Sequence, residues 1–189
     1  MTFKNRVHID NKKAALILDK IIYKKIFESN YRRQQNIIIL CIGTDRSTGD
    51  CLGPLTGTFL NKQENLPAKT IGCLEKPVHA KNLDKTLSDL KKYYRESFII
   101  AIDAGLGKQS SVGYIDVKTG PIHPGSGVNK NLSQVGDMHI TGLVNVSGYM
   151  EYLVLQSTRL RHVIKMAETI ALGLGKTIGK VKQRQKIAD

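Results

Sequence analysis

Apolar residues recur at Ala14, Leu18, Ile21, Ile22, Tyr23 and Ile26, close to helical spacing, so residues 10–31 read as a helix with Asp10 or Asn11 as its cap. A polar connector, "YRRQQN", leads to "IIILCIG" (37–43), a short β-branched run ending in glycine. Such a run, apolar at every position, reads as a strand buried on both faces, as in a parallel sheet. A glycine-rich loop follows, then a helix from about Pro54 to Asn61, with proline in its first turn. "AKTIGCLE" (68–75) reads as a strand, and "NLDKTLSDLKKYYRE" (82–96) as a helix with Leu83, Leu87 and Leu90 on one face. "SFIIAIDAG" (97–105) is a second buried strand, and "SVGYIDVKTG" (111–120) alternates as an edge strand does. The long segment 121–140 is a loop rich in glycine and asparagine, of the kind that carries function. "TGLVNVSGY" (141–149) reads as a short helix, "EYLVLQS" (151–157) as a strand, and Thr158 to about Ile178 as a long final helix.

Strand and helix alternate throughout. That order predicts an α/β fold, a three-layer sandwich with a mostly parallel sheet. Residues 1–35 read as an N-terminal helical arm, 36–178 as the α/β domain and 179–189 as a basic C-terminal tail. Ligands of such sheets sit beyond the carboxyl ends of the strands. Asp50 follows the first buried strand, Asp103 ends the second, and His139 precedes the helix expected at 141. Three ionisable groups far apart in sequence are thus expected on one rim.

Composition narrows the setting. The 189 residues are 41% hydrophobic, enough for a core. No apolar run approaches the roughly 18–20 residues of a membrane span, and the N-terminus has no apolar signal region. Cys41, Cys51 and Cys73 are odd in number and lack C-x-x-C spacing, so a disulfide framework or structural zinc is not expected and a reducing cytoplasm fits. The formal charge of +13 favours acidic partners, including weak nucleic-acid contact. It is spread over Lys24-Lys25, Arg32-Arg33, Lys91-Lys92 and the stretch "KTIGKVKQRQK", with no nucleic-acid motif beside it.

The chemistry centres on "IGTDRSTGDCLGP" (42–54). Gly43, Gly49 and Gly53 fit neither a Rossmann fingerprint nor a Walker loop, and Asp45 and Asp50 would repel phosphate. Two carboxylates at neighbouring strand ends, Asp50 and Asp103, suit an acid pair: like charges at close range push one pKa up, so one acid holds a proton while the other acts as base. With His139 the same pair makes a set able to hold a divalent metal. An aspartate after a strand also serves merely as a turn former or helix cap. "HPGSG" offers Ser126 beside His123 but no nucleophile elbow, and Cys51 sits next to an acid that disfavours its thiolate.

Three blocks carry a family resemblance: "TGDCLGP" (48–54), "AIDAG" (101–105) and "GPIHPGSGV" with the following "NK" (120–130). They resemble the germination protease of spore-forming bacteria, whose blocks read T-P-D-A-L-G-P, I-D-A-L and G-I-H-P-G-S-G-V, and most closely the YyaC-type spore protease family. The resemblance covers roughly residues 36–157. It implies a phosphorylase/hydrolase-like fold like that of hydrogenase maturation proteases, and peptide-bond hydrolysis in the cytoplasm of the forespore or spore core. It places the catalytic pair on Asp50 and Asp103. The maturation proteases imply an alternative, a metal-dependent protease with zinc or nickel on Asp50, Asp103 and His139, His123 competing for the histidine role. In the leading reading no cofactor is required. His123, Gly125, Ser126, Gly127, Asn129 and Lys130 would shape the substrate loop, with the N–H groups of Gly125 and Gly127 stabilising the oxyanion. The expected partner is a protein or peptide, small DNA-binding spore proteins among them, with no membrane and an oligomer left open. A third reading is a basic binding module without catalysis. The chain departs from the larger enzyme in its length and at Cys51 and Gly105.

Overall fold

A computed structural model describes residues 5–32, 35–125 and 133–186. Six strands form one sheet: β1 (Arg6–His8), β2 (Ile37–Cys41), β3 (Lys69–Ile71), β4 (Phe98–Gly107), β5 (Tyr114–Thr119) and β6 (Met138–Val146), in the order β1-β5-β6-β4-β2-β3. The pairings β6–β4, β4–β2 and β2–β3 are parallel, while β1–β5 and β5–β6 are antiparallel. The helices are α1 (Ala14–Glu28), α2 (Leu52–Asn61), α3 (Leu83–Tyr93), α4 (Glu151–Gln156) and α5 (Leu160–Lys186). The expected α/β architecture forms, with helices flanking a mixed sheet whose parallel part is β6-β4-β2-β3.

The two faces of "IIILC" explain the layers. Ile37, Ile39 and Cys41 join the core built with α1, α2 and α5, whereas Ile38 and Leu40 join a second core with Leu83 and Leu90 of α3. A strand covered on both sides needs apolar side chains at every position, and all five residues are buried. On α5, Val163, Met166, Ala167, Ile170, Leu174, Ile178 and Val181 are buried at helical spacing. The helix read as an arm packs into this main core through Leu18, Ile22 and Ile26. Its Asp19, 2% exposed, accepts a 3.0 Å hydrogen bond from the Thr177 hydroxyl and pairs with Lys180, locking α1 to α5.

Several expectations need correction. "TGLVNVSGY" is not a helix: residues up to Val146 belong to β6, the strand between β4 and β5. "EYLVLQS" is not a strand: α4 forms there, entered through Met150 in the left-handed region (φ 57°). β5 is not an edge, because β1 pairs outside it. The strand expected at 68–75 shrinks to three residues. The last helix runs past Ile178 to Lys186, so the residues read as a tail from 179 are largely its final turns. Among the described residues no helix is long and apolar enough to cross a membrane.

Gly179 lies inside α5, and a Cβ built there meets nothing within 4 Å. Glycine in a helix interior costs about 1 kcal/mol relative to alanine. Gly179→Ala is therefore expected to raise the melting temperature by roughly 2–4 °C, measured by thermal unfolding. A drop would show that the helix end is packed against something.

Candidate functional site

Asp50 is placed by a chain that doubles back tightly. Gly43 has φ +140°, and a Cβ there would lie 2.0 Å from the Asp50 carbonyl oxygen. At Gly53 a Cβ would lie 2.0 Å from the Ile42 carbonyl oxygen. Two glycines thus let the exit of β2 and the entry of α2 touch main chain to main chain, and the loop between them is held over the strand ends. Gly49 donates its amide to the Leu155 carbonyl (2.8 Å), which docks α4 on the same loop.

Asp103 arrives from β4. Its neighbours Ile100 and Ile102 belong to the main core, so by strand alternation Asp103 faces the other side of the sheet, with Ala101 and Ile99. That face is covered by α3 over β2. α3 also covers the start of β4 through Ile99 and Ala101, and beyond it a cleft of about 740 Å³ opens over Asp103, Thr141 and His139, with α4 at its wall. Asp50, Asp103, His123, Gly125 and His139 all line this cleft, together with Thr44, Ser47, Lys118, Thr141, Glu151 and Tyr152. β6 carries a bulge opposite Gly105 and Leu106, just beyond Asp103, a frequent device beside functional sites. Gly105 itself leaves room for the Thr141 methyl, 2.7 Å from where a Cβ would stand.

The Asp103 side chain is buried, 5% exposed. Burial pushes its pKa well above the usual carboxylate range, and the negative charge of Asp50 pushes it further. The amides of Ala104 (2.9 Å) and Gly125 both donate to the carboxyl and offset part of this rise. The Gly125 amide is therefore turned toward Asp103. The charge of Asp50 thus acts on the Asp103 carboxyl.

His139 is not at the rim before a helix. It lies within β6, opposite Ala101 and beside Lys118 of β5. The row of Asp103 is two residues further on, roughly 6.6 Å along the strand and about 4.8 Å across. Its Nδ1 bonds the Gly120 carbonyl (2.9 Å). Burial lowers its pKa, the Gly120 bond partly offsets this, and the Lys118 charge lowers it again; the Gly120 carbonyl can only accept, so Nδ1–H donates. Among the described residues no three His, Cys, Asp or Glu side chains form a group able to hold a metal. His123 accepts from the Gln134 amide (2.6 Å) at the cleft wall. Ser126, Gly127, Asn129 and Lys130 lie outside the described residues.

The Cys51 thiol is pushed up to about 11 by burial and then by the charges of Asp45 and Asp50, which leaves no thiolate at neutral pH. Glu151, Tyr152 and Leu155 were missed because their segment read as a strand. Their signal was the helical spacing of Tyr152 and Gln156, whose side chains bond across one turn (2.8 Å). Beside the cleft, α4 and the two residues before it leave Tyr149, Met150, Tyr152 and Leu153 exposed.

A family described as "Protein of unknown function (DUF1256)" matches residues 6–173. The uncharacterized protein YyaC of Bacillus subtilis (strain 168) is 50% identical over 141 residues, covering 75% of this chain and 69% of its own. Among solved structures, the NiFe hydrogenase maturation protease HycI of Thermococcus kodakarensis KOD1 aligns with 86% of this chain and 99% of its own, at 14% identity and a TM-score of 0.48.

Proposed function

The chain belongs to the DUF1256 family, and from that premise we propose that it is a peptidase whose acid pair, Asp50 and Asp103, hydrolyses a peptide bond of a protein substrate in the sporulating or germinating cell. The observation that carries the reading is Asp103: a buried carboxyl, raised in pKa by burial and by the Asp50 charge, in the wall of an open cleft. A carboxylic acid that keeps its proton at neutral pH can protonate a departing amine. Asp50 then takes a proton from water, the oxygen attacks the amide carbon, and Asp103 gives its proton to the amine as the C–N bond breaks. The exposed apolar rim on α4 suits the side chains of a polypeptide. The blocks around Asp50, Asp103 and His123 resemble those of the germination protease, which supports a spore substrate and the forespore or spore core as compartment.

The test is hydrolysis, read by mass spectrometry, of a proteome-derived peptide library and of small DNA-binding spore proteins. Wild-type protein is expected to cut a defined bond, and Asp50→Asn to lose that cut. Chelator is expected to leave the rate unchanged. A rate abolished by chelator and restored by zinc or nickel would replace the acid pair with a metal mechanism. A wild-type protein that cuts nothing but binds DNA with a steep salt dependence would be a basic binding module instead.

A further inference from the structure

The acid pair accounts for the water and the leaving amine, but not for the negative charge that gathers on the carbonyl oxygen. In acyl-transfer chemistry a hydrogen-bond donor aimed at that oxygen is among the largest contributions to rate. The two amides that face the Asp103 carboxyl, those of Ala104 and Gly125, are already spent on it. The Thr44 hydroxyl lies by the Asp45 carboxylate and accepts from the Arg46 amide.

Ser47 is different. It lines the cleft, it is 7% exposed, and its Oγ is sealed from solvent with no hydrogen-bond partner among the described residues. A buried hydroxyl left unpaired destabilises a resting protein, so a chain that keeps one beside an acid pair holds an unspent donor there. The backbone sets its direction. The Cys51 amide bonds the Ser47 carbonyl (3.0 Å), which closes a helical turn. Residues three apart on such a turn share a face, so Ser47 and Asp50 point the same way. Ser47 itself lines the cleft that holds Asp50 and Asp103.

We propose that the Ser47 hydroxyl donates to the carbonyl oxygen of the bond being cut and holds the oxyanion as water adds. The inference rests on the acid-pair reading and names the group that completes it. Among the cleft hydroxyls Thr141 is the rival, on β6 beside Asp103, but it is not buried without a partner.

The experiment uses the full chain and the best-cut peptide of the library described above. Ser47→Ala is expected to lower kcat by roughly 10²–10³-fold with KM nearly unchanged. Ser47→Thr, which keeps the hydroxyl, is expected to recover at least a tenth of the rate. Without substrate, Ser47→Ala is expected to melt at or above the wild-type temperature, because it removes an unpaired group. Wild-type rates in Ser47→Ala beside a dead Asp103→Asn would overturn the inference and leave the pair standing. So would a loss confined to Thr141→Val, a Ser47→Ala protein melting several degrees low, or covalent labelling of Ser47 by a fluorophosphonate, which would make it a nucleophile. No hydrolysis by the wild-type chain would overturn the acid-pair reading and this inference with it.

Discussion

Asp103→Asn is expected to lose hydrolysis by about 10³-fold, within the range a general acid contributes, and at the same time to melt several degrees above the wild type at pH 8. Both effects have one cause. Folding takes this carboxyl out of water and sets the Asp50 charge beside it, and each raises its proton affinity. The folded chain therefore binds a proton that the unfolded chain, with a carboxylate pKa of about 3.9, releases. Stability from this group is complete below that value and is lost as pH climbs through the raised native pKa. Asparagine does not titrate and can still accept from the Ala104 and Gly125 amides. The advantage of the variant is thus absent near pH 4, grows as pH rises and levels off above the native pKa. Thermal unfolding at pH 4 and pH 8, paired with peptide hydrolysis, checks both halves. Equal melting at both pH values would mean that water reaches the carboxyl and that it does not keep its proton. A dead but unstabilised variant would point to structural damage.

What the sequence made legible follows from how densely each segment is buried. "IIILC" and "FIIAI" are apolar at successive positions because α3 covers one side and α1, α2 and α5 the other. Their identity as strands, and the carboxylates at their ends, could be read without coordinates. β6 could not. At His139 and Thr141 its outer face lines a cleft and carries polar residues, so the apolar run is broken. Gly142 interrupts it again, because a Cβ there would stand 2.3 Å from the Met166 sulfur and 2.4 Å from the Leu52 side chain. Glycine here marks close approach of helices to the sheet, and it leaves the segment reading as a short helix. The same misreading placed His139 at the rim, whereas it lies within β6 opposite Ala101. "EYLVLQ" erred the other way: its leucines and valine suggest a strand, but its position is fixed by long-range bonds, Gly49 to Leu155 and Asn145 to Val154. The unpaired Ser47 hydroxyl and the commitment of the Gly125 amide are properties of three-dimensional neighbours, and no spacing encodes them.

Gly53→Ala is expected to be a strongly damaging single-methyl change in the chain's candidate site. The added carbon would meet the Ile42 carbonyl oxygen at 2.0 Å and the Ile42 carbonyl carbon and nitrogen at 2.7 Å. These are main-chain atoms at the end of β2, a strand with parallel partners on both sides, and Ile42 also pairs with Val78 in a parallel bridge. A flexible side chain could swing aside, whereas here either β2 or the start of α2 must move. Overpacking of this kind costs about 3 kcal/mol, which for a domain of this size lowers the melting temperature by roughly 6–12 °C. The displacement falls three residues from Asp50, so the surviving folded fraction is expected to hydrolyse poorly as well, although Gly53 touches no substrate. Gly179→Ala is the matching control, the same methyl added where space is open. If Gly53→Ala melts and hydrolyses like the wild type, the close contact between residues 42 and 53 does not exist, and the loop that aims Asp50 at Asp103 is built differently.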